Sequence, residues 1–363
     1  MPLPIPAENR QRLLIFNLRT DIDDHILGFT TQWINALATH YLAVDVLTTH
    51  VGTLAVADNV RVFSVGRERG VGKVQRAMLF YSRLTELLLS QRYDACFAHM
   101  QPLFAVMASP LLQLRGIPIT TWYTHRQMSR TIALAERVSY RIVSAVESSF
   151  PMQTPKLRAV GHGIDTDFFT LNVSISKHHP PRIMQVARLT DIKHQHIVLE
   201  AAHDLDCEIV FVGDIPDGYD DTYKQRLIAQ VHQMGIGDKV IFAGAQTPQQ
   251  VRDWYRSATV ALNLSPSGLF DKAVLEGMAC AIPTIVSNDA FQPLTREFAD
   301  KLHIPQPDDV LALRNQLETL FALSDGERQQ IGQILRQRVV EEHSLNSLIP
   351  KLICVMHNGE IAS

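Results

Sequence analysis

Two cationic side chains stand five positions apart directly after a predicted strand. Arg188 follows the apolar run PRIMQVA, and Lys193 comes just before a predicted helix that begins near His194. A guanidinium, an ammonium and the positive end of a helix dipole together suit a diphosphate. Two solvated surface charges are the alternative, and the position at a strand-to-helix turn favours the phosphate site.

A carboxylate lies on a later short helix. The segment SPSGLFDKAVLEGMACAIPTIVSND predicts a strand that ends at Ser265, a loop, a helix from about Lys272 to Cys280 and a strand after Pro283. Glu276 lies on that helix near the loop where a ligand would bind, and a carboxylate there can accept two hydroxyl hydrogen bonds from a ribose. An ordinary exposed glutamate is the alternative.

Two glycines and a histidine also stand at predicted strand ends. Gly213 ends the run FVG and Gly244 ends FAG, where the missing side chain would let a ligand approach the backbone, although each also suits a plain turn. His125 follows ITTWYT and could donate, accept or move a proton. The chain has 15 histidines, so most of them must have no chemical role. No spacing of Cys, His or acidic residues predicts a persuasive metal site.

These residues are carried by alternating strand and helix patterns. The first series of apolar runs includes RLLIFNL, YLAVDVLTT, VRVFSV, ACFAHM and PITTWYT, and the second runs from PRIMQVARL to IPTIVS. Such alternation predicts parallel sheets covered by helices. We therefore predict an α/β fold of two Rossmann-like domains that face each other across a cleft, with ligands at the strand-end loops.

A polar stretch, LNVSISKHHPP, separates the two series and predicts the linker. We place an N-terminal domain at residues 1–172 and a C-terminal domain at residues 180–335. The remaining segment, 336–363, is predicted to be helical, and it either completes the second domain or crosses back to the first. The length of 363 residues also favours two domains.

Composition excludes several classes of protein. Lys and Arg number 34 against 37 Asp and Glu, so no global positive field exists to gather nucleic acid. The four cysteines are far apart without zinc spacing, which favours free thiols and a cytoplasmic location. Charges and prolines interrupt the N-terminus where a signal peptide would be apolar, and no apolar run reaches the roughly 20 residues of a spanning helix.

One stretch, residues 67–92, interleaves basic and apolar side chains. It reads RERGVGKVQRAMLFYSRLTELLLSQR. A basic amphipathic helix of this kind can lie on an anionic membrane. A helix packed on a sheet with a solvated basic face has the same pattern, so a peripheral membrane contact is one of two interpretations.

As a set, these segments resemble the retaining, nucleotide-sugar-dependent glycosyltransferases of family 4, the group 1 glycosyltransferases with the GT-B fold. The resemblance is carried by ARLTDIKHQHIVLEAA, CEIVFVGD, KVIFAGAQTPQQVRDWYRSA and LNLSPSGLFDKAVLEGMACAIPTIVSND. The first half is looser, and its resemblance to the acceptor domain is carried by WYTH and AVGHGIDTDFF.

The resemblance implies roles for the candidate residues. Arg188 and Lys193 would bind the donor diphosphate, and Glu276 would bind the nucleotide ribose. Leu275 and the helix start at Lys272 would lie beside the phosphates.

The first domain adds one implied role, and the second departs from the family pattern. His125 would lie near the C6 hydroxyl of the donor sugar. The family's E-x7-E pattern places its first glutamate at Gly268, where this chain has no carboxylate. That glutamate normally contacts the transferred sugar, and Asp271 is a candidate to replace it.

The implied reaction is retaining transfer of a sugar from a nucleoside-diphosphate sugar to a glycan or lipid-linked acceptor in cell-surface polysaccharide synthesis. The leaving phosphate would itself take the acceptor's proton, so neither a protein nucleophile, a metal nor a cofactor would be needed. Two alternatives stay open. One is a sugar-nucleotide 2-epimerase of the same fold, and the other is a non-catalytic sugar-nucleotide-binding protein, which the missing glutamate would favour.

Overall fold

The computed structural model describes residues 11–24, 27–171, 179–216 and 218–361. The strands within these ranges are β1 (Arg12–Thr20), β2 (Ala43–Val51), β3 (Val60–Ser64), β4 (Ala95–His99), β5 (Ile119–Trp122), β6 (Arg141–Ser144), β7 (Leu157–Ala159), β8 (Arg182–Val186), β9 (Glu208–Val212), β10 (Val240–Gly244), β11 (Val260–Asn263) and β12 (Thr284–Val286).

Most of the α-helices within the same ranges lie between these strands in the chain, and the last five follow β12. They are α1 (Phe29–Ala38), α2 (Lys73–Ser90), α3 (Pro102–Leu114), α4 (Arg130–Val138), α5 (Gln195–Ala202), α6 (Thr222–Met234), α7 (Pro248–Ser257), α8 (Lys272–Ala279), α9 (Gln292–Thr295), α10 (Ala299–Leu302), α11 (Val310–Ala322), α12 (Asp325–His343) and α13 (Leu345–Asn358).

The strands form two parallel sheets. The first has seven strands in the order β3-β2-β1-β4-β5-β6-β7, and the second has five in the order β10-β9-β8-β11-β12. Each order steps outward from a central strand and then reverses, as in a Rossmann fold. Helices cover both faces of such sheets, which is why the strands are continuous apolar runs rather than alternating ones. The predicted α/β fold with two Rossmann-like sheets is confirmed.

The first compact unit comprises Met1–Gly163 together with Leu345–Ser363. Its core is apolar side chains of β1, β4, α2 and α3, and the Phe80 and Phe104 rings lie 4.4 Å apart between the two helices. The C-terminal α13 belongs to this unit. The His357 ring contacts the Tyr41 hydroxyl at 2.9 Å, and Arg141 Nε donates to the Gly359 carbonyl at 2.7 Å.

The second compact unit is Ile164–Ser344. The boundary therefore precedes the predicted domain end at residue 172, and the predicted break at residues 335 and 336 falls inside α12. The polar stretch interpreted as the linker lies mostly outside the described residues, at 172–178.

Hydrogen bonds explain why the chain joins the second unit so early. The Arg336 guanidinium on α12 donates to the carbonyls of Thr166 and Phe169 at 3.0 and 2.8 Å, and also to that of Ala279. Arg256 Nε donates to the carbonyl of Thr170 at 2.8 Å. These contacts tie the segment after Ile164 to the helices of the second unit, and no local sequence pattern reports them.

Replacement of Arg336 by methionine should lower the free energy of unfolding by about 3 kcal/mol, because three carbonyls lose a charged donor. Urea unfolding followed by circular dichroism measures this change. Gln337→Met, on the exposed side of the same helix, is the control and should change the free energy of unfolding by less than about 0.5 kcal/mol. Equal stability of Arg336→Met and the control would contradict the anchoring role.

Candidate functional site

The site lies where the order of the second sheet reverses, between β8 and β11. These strands pair in parallel, with Ile183 opposite Val260 and Met184 opposite Ala261. The chain leaves β8 toward β9 on one side and leaves β11 toward β12 on the other. Loops from both strands therefore diverge at their carboxyl ends and open a crevice for a ligand.

An ion pair between a buried lysine and a partly buried aspartate joins these two loops. Lys193, of which only 6% is exposed, donates from Nζ to Asp271 Oδ2 at 2.5 Å and to Ser265 Oγ at 2.9 Å. Ser265 Oγ donates in turn to the same carboxylate oxygen at 2.5 Å, and Asn263 Nδ2 donates to it at 3.1 Å. Gln185 Nε2 on β8 donates to the Lys193 carbonyl at 2.6 Å. The lysine is thus fixed at both its backbone and its ammonium.

The surroundings keep the Asp271 carboxylate ionised. Burial by itself would raise its pKa, but the Lys193 ammonium and the hydrogen bonds from Ser265 and Asn263 outweigh burial and hold the pKa of Asp271 below its usual value. Asn263 and Ser265 are site residues that were not among those predicted from the sequence. Their signal was available, because they are polar residues inside the otherwise apolar run VALNLS.

Arg188 lies on the loop that follows β8 and is exposed. Its backbone is fixed, since its carbonyl accepts a hydrogen bond from Gln195 Nε2 at 3.0 Å and the next residue, Leu189, donates its amide to the Asp214 carbonyl at 3.1 Å. Within the described residues the guanidinium has no hydrogen-bond or ion-pair partner. A rigid loop therefore carries a cation that is available to an anionic ligand.

Gly213 is required by a close approach of two chain segments. Its φ is +135°, and a Cβ at this position would lie 2.1 Å from the Ala187 carbonyl oxygen, on the loop that leads to Arg188. Its amide donates to the Gly244 carbonyl at 2.8 Å. The structure thus explains Gly213 by packing against the Arg188 loop, and contact of either glycine with a ligand stays a prediction.

The helix α8 begins without a side-chain cap. Asp271 occupies the N-cap position, but its carboxylate makes no capping hydrogen bond and is engaged by Lys193 instead. Lys272 Nζ lies 3.1 Å from Glu276 Oε1 one turn along the helix. Glu276 is only 6% exposed, so the alternative interpretation of an ordinary exposed glutamate is wrong, whereas its predicted ribose contact stays a prediction. Within the described residues its Oε2 has no hydrogen-bond or ion-pair partner. The Leu275 side chain is fully buried, which leaves only its main chain for a ligand.

Gly268 stands where the related pattern places a glutamate. Its φ is +97°, a left-handed conformation that residues with a Cβ rarely adopt. Asn288 Nδ2 holds the loop by donating to the Leu269 carbonyl at 2.8 Å, and Ser287 Oγ donates to the Ser265 carbonyl at 3.0 Å. The loop therefore has a backbone conformation that suits glycine, and a glutamate at position 268 would be strained in it.

His125 lies in the first unit, in the segment after β5. It is exposed, and its Nδ1 accepts the Gln127 amide at 2.9 Å. Its predicted contact with the donor sugar stays a prediction. In the described ranges no group of three or more His, Cys, Asp or Glu side chains could hold a metal ion.

Residues 169–338 match the family described as glycosyl transferases group 1. This region belongs to that family. It spans β8–β12 and every residue of the Lys193–Asp271 network, so the predicted resemblance of the second half is confirmed.

Known proteins agree with this assignment. A D-inositol 3-phosphate glycosyltransferase of Acidothermus cellulolyticus is 32% identical over 114 residues, which are 29% of this chain and 25% of that protein. The chain thus spans about a quarter of the length of the curated relatives it matches.

Solved structures show the same fold along nearly the whole chain. Anabaena HepE in complex with UDP and glucose is similar with a TM-score of 0.73 at 15% identity, covering 94% of this chain and 98% of that one. Sucrose-phosphate synthase of Thermosynechococcus elongatus has a TM-score of 0.75 at 16% identity, covering 96% and 99%. At this identity the likeness establishes the fold alone, which is the predicted GT-B fold.

Replacement of Gly213 by alanine should lower the free energy of unfolding by about 3 kcal/mol, because its Cβ would overlap the Ala187 carbonyl in an unfavourable backbone conformation. Chemical unfolding measures this change. Gly237→Ala is the control, since a Cβ there meets nothing within 4 Å and its φ is not positive. A Gly213→Ala protein as stable as the control would show that the loop can move away at little cost.

Proposed function

We propose that the protein is a retaining glycosyltransferase that moves a sugar from a nucleoside-diphosphate sugar to a glycan or lipid-linked acceptor. The observation that carries this proposal is the arrangement at the reversal point of the second sheet. An arginine with no partner among the described residues, a fixed lysine and an uncapped helix N-terminus lie there, inside the region that matches the group 1 family. The whole set is suited to a diphosphate.

In the proposed reaction the diphosphate leaves with growing negative charge. Arg188, Lys193 and the N-terminal amides of α8 would stabilise that charge because they are already in place before the bond breaks. Glu276 would accept a ribose hydroxyl with Oε2, the oxygen that Lys272 does not occupy. Retention would follow from attack on the same face, with the leaving phosphate taking the acceptor's proton. We propose that this chemistry needs the donor and the acceptor but neither a metal nor a cofactor.

The donor base and the acceptor are suggested by relatives rather than by this chain. HepE was crystallised with UDP and glucose, so UDP is the first nucleotide to test. We propose an acceptor in cell-surface polysaccharide synthesis on the cytoplasmic side of the membrane. The 2-epimerase and the non-catalytic binding protein remain the alternatives, and assays distinguish them. An epimerase interconverts free donors, a transferase consumes donor only with acceptor, and a binding protein does neither.

Substitution of Glu276 by glutamine or of Arg188 by alanine should weaken nucleoside-diphosphate binding about tenfold, since each removes one charged contact. Calorimetry with UDP, GDP, ADP, TDP and CMP measures the affinities. Glu318→Gln and Arg314→Ala, an ion pair at 3.0 Å on α11, are the matched controls and should bind as the wild type does. Unchanged affinity in both site variants would refute the proposed donor site.

We further propose that the stretch 67–92 contacts an anionic membrane. Most of it is helix α2, which buries Phe80 and Leu84 against the first sheet and exposes another apolar stripe, with Val74 and Met78 at 76% and 59% exposure. Lys73 lies beside Val74 in the first turn of α2 and adds a positive charge next to the exposed apolar stripe. In the part of the chain that the structure describes, no helix is long and apolar enough to cross a membrane.

The double substitution Val74→Ser and Met78→Ser should reduce binding to vesicles of anionic lipid about tenfold, because two apolar side chains can no longer insert. Co-sedimentation with phosphatidylglycerol vesicles measures this, and phosphatidylcholine vesicles show the contribution of charge. Leu311→Ser, an equally exposed apolar residue on α11, is the control. If the wild-type protein binds neither kind of vesicle, the membrane contact is refuted and α2 is a helix packed on the sheet with a solvated face.

A further inference from the structure

Every lysine that the structure places at the carboxyl edge of the second sheet has its own carboxylate. The three pairs, with the nitrogen-to-oxygen distances, are Lys193–Asp271 at 2.5 Å, Lys224–Asp214 at 2.9 Å and Lys272–Glu276 at 3.1 Å. Arg188 is the cation that lacks such a partner among the described residues. The edge that would receive a diphosphate is therefore nearly neutral before any ligand arrives.

Asp271 is the most firmly held of these carboxylates. Its Oδ2 receives hydrogen bonds from Lys193 Nζ, Ser265 Oγ and Asn263 Nδ2. A ligand would have to break all three to displace it. Asp271 therefore remains beside Lys193 when an anion binds.

The ammonium of Lys193 has three N–H groups. Two of them are directed at Asp271 Oδ2 and Ser265 Oγ. One is left for a ligand, and its direction is fixed by the other two. The same carboxylate that fixes this direction also brings a negative charge close to any diphosphate that Lys193 binds, and like charges in a poorly solvated site repel strongly.

We propose that Asp271 is a positioning residue and permanent counterion of Lys193, which directs the ammonium and at the same time weakens the binding of the nucleoside-diphosphate product. This inference rests on the proposed function, because it assumes that Lys193 contacts a diphosphate. Its consequence is that the site releases its product readily. It also assigns Asp271 a role other than the sugar contact considered from the sequence.

The proposal makes two opposite predictions for Asp271→Asn. The ligand-free protein should be less stable, because the buried ammonium loses its counterion while the amide oxygen can still accept its hydrogen bond. UDP should bind about tenfold more tightly, because the repelling charge is gone. Uridine should bind as it does to the wild type. If Asp271 had only a structural role, its substitution would lower stability and would either weaken or leave unchanged the binding of UDP, UMP and uridine.

Calorimetry with UDP, UMP and uridine on the full chain tests this, with thermal unfolding of the ligand-free proteins alongside. If the nucleotide screen selects another base, its diphosphate, monophosphate and nucleoside replace these three. Asp271→Glu keeps the charge and should return UDP affinity to within about threefold of the wild type. Glu208→Gln is the matched control, because Glu208 pairs with Arg182 at the first residues of β9 and β8, at the opposite edge of the sheet. It should lower stability without changing UDP affinity.

A second pair of variants, in which the buried ammonium is absent, covers the case in which Asp271→Asn does not fold. Lys193→Met should weaken UDP binding relative to uridine. Adding Asp271→Asn to Lys193→Met should recover part of that loss, because the repelling carboxylate has been removed. No recovery would overturn the counterion role.

The outcomes separate this inference from the proposed function. If Lys193→Met leaves UDP affinity unchanged, the diphosphate site itself is wrong and the inference falls with it. If Lys193→Met weakens UDP binding but Asp271→Asn binds UDP equally or less tightly than the wild type, only the counterion role fails. If Asp271→Asn binds UDP as the wild type does but binds UDP-glucose more weakly, Asp271 contacts the sugar instead.

Discussion

The parallel pairing of β8 with β11 is the constraint on which the candidate site depends. These strands lie far apart in the chain, and their pairing makes two loops leave the sheet side by side. One loop carries Lys193 and the other carries Ser265 and Asp271, so their ion pair forms only when this strand order is in place. The pairing of the strands therefore positions the charged side chains, and the loops do not have to rearrange to bring them together.

Polar side chains at a strand end are costly to bury unless each one is satisfied. Here Asn263 and Ser265 serve the Asp271 carboxylate, and Gln185 serves the backbone of Lys193. These partners allow an ammonium to be buried at 6% exposure while remaining next to an uncapped helix. Hydrogen bonds within the protein therefore hold the charged groups of Lys193 and Asp271 in place before any ligand binds.

The chain combines the family's fold with its own version of the loop after β11. Residues 169–338 belong to the group 1 glycosyl transferases, and the fold matches solved structures along almost the entire chain. The loop nevertheless turns at Gly268 with a left-handed φ, and its carboxylate, Asp271, stands later and pairs with Lys193. The acidic group near the proposed donor site is therefore paired with Lys193, the lysine proposed to bind phosphate, which is a different arrangement from a carboxylate that is free to bind sugar.

The fold class, most of the strands and most of the candidate residues can be predicted from the sequence alone, whereas the short strands β6 and β7 were missed. Apolar periodicity is a local property, so it identified β8 and β11, and residues directly after strands, such as Arg188 and Lys193, could be selected without knowing the strand order. Which of these residues are in contact is seen only in the tertiary structure. Lys193 and Asp271 are 78 positions apart. Arg336 and Phe169 are 167 positions apart, and their hydrogen bond is one reason why the second unit begins earlier than predicted. Such contacts follow from the order of strands and the packing of helices, which no local pattern encodes.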